Sequence, residues 1–543
     1  TLSTHMELAL NGYGGPNCDS TFGTPGEGNT AFNTSGGNFD AGQCYFFNPF
    51  GSGVFDRAGQ LGQTNLELVN PPELYNWLLG KASSDVEYKQ RVIDIVASGE
   101  LFDLGDETVG LAVGFQQRRD KGETFLDSSL TSDNLDFVFG ARPWSGKLTT
   151  TAYFAEVRVP FGSRFEVNVA VRYEDFDEIG EDTTDPKVTM MWQPIDSLSL
   201  RATWGTSFRV PSLLQSFGTL TTVANQADLV GGTTFKPSLT VGNPSLTPES
   251  AENWGIGFSY APVDNFLEGL QIDVDYFTYE YEDIITREAS ATLLSQDNAA
   301  LAAYALANLG GSCATNEQCY IDAVNAGVGN RAKVIRNTQA ILLRILPEFA
   351  NANGADISGI DLNTSYTFDT GIGNFRIGAQ AAWLEEYEVV ATTGGVTQVF
   401  DAVGNYNSTN PVARALPEWR VNGTLNWNYN NHRAFLIVKW VDEIESDIPL
   451  GTRGFFAATA RLGGNPGIAG DFFDTKIESM TTADVQYTYT FNDVGILQNT
   501  AVTLGIMNVT NEEPPLIANV TAYDGTIHDG RGRMWFFRVR GSL

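Results

Sequence analysis

Short and long connections alternate along most of the chain, and this pattern constrains the fold more strongly than any other sequence feature. Between the connections lie segments in which apolar and polar residues alternate; residues 164–175 have one apolar and one polar face. We predict about sixteen strands, near residues 1–10, 91–103, 107–119, 147–159, 163–175, 185–194, 197–208, 249–262, 269–286, 354–368, 373–388, 417–429, 432–445, 476–492, 499–509 and 531–542. The long loops fall near residues 11–90, 120–146, 209–248, 287–353, 389–416, 446–475 and 510–530.

This sorting of connections is typical of an outer-membrane barrel, which has tight turns on its periplasmic side and long loops outside. A β-sandwich or propeller has no reason to sort its connections in this way. No apolar run approaches the roughly 18 residues of a spanning helix, whereas a barrel strand needs only about 9–11. The sequence therefore predicts an all-β protein whose residues 1–543 form a transmembrane antiparallel β-barrel with long extracellular loops and short periplasmic turns. Counting strands back from a periplasmic C-terminus places Thr1 on the periplasmic side.

Composition excludes some partners. The chain has 33 Lys and Arg against 65 Asp and Glu, a net charge of −32. Nucleic acid and bare anionic membranes need clustered cations, so we expect neither as a partner. Cationic ligands, divalent metals or simple loop solubility remain open. The three histidines are scattered, which argues against a haem or zinc centre.

The four cysteines form two local pairs inside predicted loops, Cys18 with Cys44 and Cys313 with Cys319. Paired, loop-placed cysteines in an otherwise cysteine-free chain favour disulfides and an oxidising compartment. A metal site is a weaker alternative, because no histidine lies near either pair.

Several motifs occur in the order typical of one family. The chain ends in LGIMNVTNEEPP and YDGTIHDGRGRMWFFRVRGSL, and RATWGTSFRVPSLL and NPSLTPE occur in its middle. Residues 417–420 (PEWR) and 101–104 (LFDL) add two further segments. Together they resemble the TonB-dependent outer-membrane receptors. The terminal Leu543 departs from the aromatic residue that is usual there.

The resemblance implies the fold and the function. The chain would be the last sixteen strands of a 22-strand barrel in a bacterial outer membrane, with six strands and the plug domain upstream of Thr1. It would take up a scarce solute, a carbohydrate or a metal chelate such as a siderophore, with energy from the TonB–ExbB–ExbD complex acting on the plug. Lipopolysaccharide would surround it. Two other functions remain: a plugless sixteen-strand diffusion porin, and a surface-structural or adhesive barrel.

The predicted loop at residues 12–55 is rich in aromatic residues among many glycines and asparagines. This composition suits stacking on sugars or flat chelates. From this loop and from the end of a predicted strand we select as ligand-binding candidates Tyr13, Tyr45, Phe46, Phe47, Phe50 and Arg209. The alternative for the rings is that they pack a small core of the loop itself beside Cys18 and Cys44. The alternative for Arg209 is a salt bridge at the barrel rim.

Carboxylates crowd one predicted hairpin. Asp175, Asp177, Glu178 and Glu181 are candidate ligands for Ca²⁺, although their spacing matches no EF-hand and a solvated acidic loop is the alternative. No other cofactor is expected. No nucleophile–base pair, phosphate-binding glycine loop or HExxH motif is present, so we predict that the protein is not an enzyme.

Alternation also orients interior charges. Asp273 and Asp275 alternate with apolar residues and should point into the barrel, where arginines would pair with them. Tyr276, Tyr487, Tyr489 and Trp535 are expected in the aromatic girdles of the outer surface.

Overall fold

The computed structural model describes residues 2–16, 18, 44, 45, 47, 70, 72–79, 83–131, 142–263, 267–309, 317–393, 396–408, 412–494, 497–519 and 521–542. Its strands are β1 (Ser84–Leu104), β2 (Glu107–Leu126), β3 (Ser145–Pro160), β4 (Phe165–Phe176), β5 (Glu181–Ile195), β6 (Leu198–Arg209), β7 (Thr219–Ala227), β8 (Thr233–Val241), β9 (Glu249–Tyr260), β10 (Leu270–Arg287), β11 (Val334–Arg336), β12 (Leu342–Ile345), β13 (Phe349–Thr370), β14 (Gly373–Thr393), β15 (Val396–Asp401), β16 (Trp419–Tyr429), β17 (His432–Val441), β18 (Ile444–Glu445), β19 (Lys476–Ile477), β20 (Met480–Val494), β21 (Leu497–Met507) and β22 (Met534–Ser542).

The helices lie outside the strands of the large sheet, and the longest of those described, α5, has 20 residues. They are α1 (Ser3–Leu10), α2 (Pro72–Leu78), α3 (Ser128–Thr131), α4 (Leu213–Phe217), α5 (Ser290–Leu309), α6 (Glu317–Asn325) and α7 (Leu450–Leu462), with 3₁₀ turns at Pro466–Ala469 and Asp471–Phe473. Within the part of the chain that the structure describes, no helix has the length and apolar character needed to cross a bilayer.

One 16-stranded antiparallel sheet dominates the fold. Its order is β1-β2-β3-β4-β5-β6-β9-β10-β13-β14-β16-β17-β20-β21-β22, and β15 pairs with the upper part of β14. The ladder of β1 and β2 shows the pattern, running from Ser84 opposite Leu126 to Leu104 opposite Glu107. Positive φ angles at Gly105 (69°) and Asn430 (49°) close two of its short turns, where glycine and asparagine are favoured.

Fifteen of the predicted strands form, but the first is wrong. Residues 3–10 are helix α1, whose Ala9 is buried against Leu74 and Leu78 from α2. Met, Glu, Leu and Ala favour a helix, and the segment has no neighbouring strand to pair with. The sixteenth strand of the sheet is β15 instead. Strand β1 begins at Ser84, at the end of the sheet where the long connections lie. The predicted periplasmic position of Thr1 stays a prediction, because Thr1 is outside the described residues.

The two faces of the sheet differ in chemistry. We call the side that carries Trp254 and Ile256 the outer face, and the side that carries Arg201 and Asp275 the inner face. Large apolar side chains stand exposed on the outer face, where Ile256 is 65% and Trp535 is 73% accessible. Exposed apolar surface of this extent suits contact with lipid, and the charged inner face suits water.

Aromatic side chains mark two levels on the outer face. At the long-loop end the indole N–H groups of Trp204 and Trp254 both donate to Oε1 of Glu252, at 2.9 and 3.0 Å. At the short-turn end, Trp427 stacks on Tyr429 with ring centroids 6.3 Å apart. Strand β16 carries a tryptophan at each level, Trp419 at the long-loop end and Trp427 at the short-turn end. The eight residues between them span about 27 Å along the strand, which matches an apolar band about 25 Å tall on tilted strands.

The long connections contain small cores of their own. Strands β11, β12, β8 and β7 form a separate four-stranded sheet, and α5 packs on it through Leu293 and Leu294. Helix α6 packs on α5 through Ala323, which lies against Leu301 and Ala305. We call this unit the insert body. Helix α5 is rich in Ala and Leu, which favour the helical conformation.

A buried ionic cluster joins the parts of the insert body. The side chain of Arg336 is fully buried, with one guanidinium nitrogen 2.6 Å from Asp228 Oδ2 and Nε 2.9 Å from Asp297 Oδ2. It also donates to Asn298 Oδ1 at 2.9 Å. Because every charge has a partner, the cluster avoids the cost of an unpaired buried ion and holds three segments in one arrangement.

Replacing Gly257 by alanine should destabilise the barrel wall by about 1–3 kcal/mol. A Cβ atom there would lie 2.1 Å from Asp275 Oδ1 and 2.7 Å from the Val274 carbonyl oxygen. The measurement is the denaturant midpoint of the purified protein in lipid vesicles. Gly423→Ala is the matched control, because nothing lies within 4 Å of a Cβ at that strand position. Equal midpoints for the two variants would contradict the close approach.

Replacing Arg336 by methionine should destabilise the insert body by about 3–5 kcal/mol, because the buried Asp228 loses its counter-charge and the buried Asp297 keeps only Arg331. Amide hydrogen exchange in α5 and α6 measures the loss as faster exchange. Arg531→Met, which breaks an exposed pair with Asp529, should leave these amides unchanged. Unchanged exchange in both variants would show that the cluster is not a stabilising element.

Candidate functional site

The candidate site is a cavity on the inner face, lined by charged and aromatic side chains. A cavity of about 700 Å³ lies against strands β4, β5, β6, β9, β10 and β13. The side chains used below are Arg201, Asn253, Asp275, Phe277, Tyr279 and Asp361. These six belong to four neighbouring strands, so the antiparallel register brings together positions up to 160 residues apart.

An ion pair crosses one strand in the lower part of the cavity. Arg201 on β6 reaches over Gly257 on β9 and donates to Asp275 on β10, with Nε 2.6 Å from Oδ1 and a second bond from the terminal nitrogen. Its remaining nitrogen donates to Ser259 Oγ at 2.7 Å. Such a bidentate pair needs a residue without a side chain beneath it, which explains the glycine. The predicted pairing of Asp275 with an inner-face arginine is confirmed.

Two polar groups in the cavity stay available for a ligand. Asp361 lies directly opposite Asp275 in the β10–β13 ladder. No described residue donates a hydrogen bond to its carboxylate, and the amide of Asn253 likewise bonds to none of them.

Aromatic rings line the path from the cavity to the long-loop end of the sheet. Phe277, Tyr279 and Tyr281 alternate along the inner face of β10, with successive ring centroids 5.9 and 6.0 Å apart. The ring of Phe277 lies over Gly359 on β13, where a Cβ atom would be 2.8 Å from it. We call these three rings the aromatic ladder.

Two connections fold inward at the top of this ladder. Ala402 and Ala413 cover the inner-face residues Ala355 and Val389, and Tyr281 packs at the edge of the same cluster. On the other side, Leu213 of α4 packs on Leu148 and Phe176. The mouth on the long-loop side is therefore narrowed by the protein's own connections.

Arg209 stands at this mouth in a salt bridge. Its guanidinium donates two hydrogen bonds to Glu249, and Glu249 Oε1 also accepts the Ile285 backbone N–H at 2.6 Å. The carboxylate thereby holds a bulge of β10, where Asp283 has a φ of 55°. The side chain of Arg209 is 61% exposed, but its hydrogen bonds to Glu249 give it a structural role at the rim of the sheet.

Two of the aromatic loop residues pack against helices α1 and α2. Tyr45 is 4% exposed in a cluster with Leu74 and Leu78, and Phe47 packs on the same cluster. Tyr13 is partly exposed. Phe46 and Phe50 lie outside the described residues. The arrangement gives Tyr45 and Phe47 a structural role rather than an open ring face.

The cysteines of the first pair form a disulfide, with the Cα atoms of Cys18 and Cys44 4.5 Å apart. Cys319 is disulfide-bonded. Its predicted partner Cys313 lies outside the described residues.

The acidic hairpin does not gather its carboxylates. Glu178 accepts the Thr149 backbone N–H at 2.5 Å and lies 3.0 Å from Lys147 Nζ. Burial alone would raise the pKa of Glu178, but the hydrogen bonds from Thr149 and Lys147 outweigh it and lower the pKa. Asp175 pairs with Asp182 across the strands, and Glu181 pairs with Phe176; Asp177 follows in the turn. No described residues bring three possible metal ligands together, so the calcium site stays a prediction without geometric support.

The sequence analysis missed the aromatic ladder and Asp361 as site residues. The sequence contained a signal for the ladder. Asp273 and Asp275 were predicted to point into the barrel, and strand alternation predicts the same orientation for residues 277, 279 and 281. Asp361 had no such signal, since its importance comes from the strand beside it.

Comparisons with known proteins agree with this architecture. The family model described as TonB dependent receptor-like, beta-barrel, matches residues 10–511. The siderophore receptor PirA from Acinetobacter baumannii is 13% identical with a TM-score of 0.53, covering 87% of this chain and 56% of its own. A mutant ferric enterobactin receptor PfeA from Pseudomonas aeruginosa is 14% identical with a TM-score of 0.54, at the same coverage. The outer membrane transporter YddB from Escherichia coli is 9% identical with a TM-score of 0.52, covering 84% of this chain and 54% of its own.

No curated protein matches the chain. At these identities the structural likeness shows the fold, and the chain spans a little over half the length of the solved structures it matches. The family match, in contrast, covers most of the chain. The chain therefore belongs to the TonB-dependent receptor-like β-barrel family, and its place is the outer membrane of a Gram-negative bacterium.

Proposed function

We propose that the protein takes up a scarce solute across the outer membrane, driven by inner-membrane energy delivered through the TonB–ExbB–ExbD complex. The solute is a carbohydrate or a metal chelate such as a siderophore. The outer membrane has no ATP, so the work of transport has to come from another compartment, and a plug domain is the element on which that energy would act.

The observation that carries the proposal is the aromatic ladder beneath a narrowed mouth. Phe277, Tyr279 and Tyr281 offer ring faces in sequence from the covered mouth down to the charged cavity. Rings of this kind bind sugar faces and flat chelates with little loss of side-chain entropy. A solute captured under the inward-folded connections thus meets a continuous set of contacts on its way inward.

The same geometry weighs against free diffusion. A diffusion porin depends on an open aqueous path, whereas here the connection before β16 packs over Ala355 and Val389 on the inner face, and α4 packs over Leu148 and Phe176. An adhesive barrel would use its loops outward and would need no ring faces inside.

Tyr279→Ala should weaken solute uptake by about three- to tenfold, because one ring face of the ladder is lost. Tyr276→Ala is the matched control, since Tyr276 lies three residues away on the outer face of the same strand and should leave uptake unchanged. The measurement is the uptake of labelled carbohydrates and ferric chelates by cells that depend on this protein. Collapse of the inner-membrane proton gradient should stop uptake in the unmodified protein.

Three results would overturn the proposal. Uptake that persists without the proton gradient indicates a diffusion porin. Cell adhesion without any uptake indicates an adhesive barrel. Equal effects of the two tyrosine substitutions would remove the ladder from the solute path.

A further inference from the structure

The charges of the inner-face cavity do not balance. Glu166 is satisfied by Arg158, whose Nε lies 2.7 Å from Oε2, and Asp275 is satisfied by Arg201. Asp361 is the third carboxylate that lines the cavity, and no described residue forms a salt bridge with it. Pairing therefore leaves one negative charge at the wall of the cavity.

The position of Asp361 raises the cost of that charge. Asp275 and Asp361 are direct cross-strand partners on one face, and like charges at this separation of about 4.5–5.5 Å repel each other. Arg201 approaches from the far side of Asp275, across β9. On the other side of Asp361 the cross-strand row continues through Ala382 to Arg420, but no described residue forms a salt bridge with Asp361.

Aromatic faces lie next to the same carboxylate. Phe277 covers Gly359, which precedes Asp361 by two residues on the inner face of β13, about 7 Å along the strand. Tyr279 follows one step higher and is 37% exposed. A carboxylate beside exposed ring faces is the surrounding that an ammonium or guanidinium group prefers, because it combines an ion pair with cation–π attraction.

We propose that this cavity binds a cationic group of the transported solute, an ammonium or guanidinium, with Asp361 as its counter-ion and Phe277 and Tyr279 beside it. The site selects cationic over neutral solutes and rejects anionic ones. The inference rests on the proposed function only in naming the solute as the source of the group.

The site can be tested without transport, with a reporter thiol at Ala382→Cys. Ala382 lies directly opposite Asp361 on β14 and is exposed, so a bound solute would shield it from N-ethylmaleimide. The probes are glucosamine, glucose and glucuronate, which share one ring and differ in charge. The purified full chain in lipid nanodiscs is used, with the protein lacking the reporter as the blank for its native cysteines.

Glucosamine should protect the thiol in a saturable way, with a half-protecting concentration about fivefold below that of glucose, and glucuronate should not protect. Asp361→Asn should abolish the difference between glucosamine and glucose. Asp369→Asn, on the same strand but bonded to Asn374 at the turn, should preserve it.

Equal protection by all three probes, no saturable protection by glucosamine, or a preference that survives Asp361→Asn would each overturn the assignment. If a lysine or arginine side chain of the protein already occupied the cavity, glucosamine would give no saturable protection. Because the assay needs no energised membrane, its failure is separate from a failure of the uptake experiment, which tests transport itself.

Discussion

Backbone hydrogen bonding inside a bilayer is the constraint on which the rest of this structure depends. Lipid offers no donors or acceptors, so each spanning segment has to satisfy its N–H and C=O groups through a neighbouring strand. The long ladders of β1 with β2 and of β13 with β14, each with a single register shift, meet this demand. Once pairing is continuous, side chains project alternately to lipid and to the interior, and the two faces acquire opposite chemistry.

The interior face uses this freedom to carry charge at a controlled cost. Arg201 reaches across a whole strand to Asp275 because Gly257 leaves room. Phe277 lies flat because its cross-strand neighbour is Gly359. Glycines opposite large side chains let arginines and rings lie along the wall, and the lumen stays open beside them. The cavity therefore results from small residues at defined register positions.

The connections above the wall follow a different physical rule. Water surrounds them, so they need cores of their own, as α5, α6 and the four-stranded sheet of the insert body provide. The buried Arg336 with Asp228 and Asp297 supplies specificity of arrangement more than net stability, because desolvation offsets much of the attraction. Where connections turn inward, over Ala355 and Val389, they change a barrel mouth into a covered site.

Much of the wall was determined by the sequence alone, because alternation is a local property that is read along one strand. Fifteen strands, their facing, the short turns and the pairing of Asp275 with an arginine follow from patterns within a few dozen residues. Helix α1 was not predicted in this way, since its eight residues are too few for periodicity to separate a helix from a strand, and the packing of Ala9 on α2 is a tertiary contact.

Only the tertiary structure decided the site. The opposition of Asp361 and Asp275, the Arg336 cluster and the inward packing of Ala402 join residues far apart in the chain. Their meeting depends on register and loop packing, which are set by the summed contacts of many strands. The sequence of a single segment determines the face of the sheet on which its side chains lie. The neighbouring residues that give those side chains a function are determined by the fold as a whole.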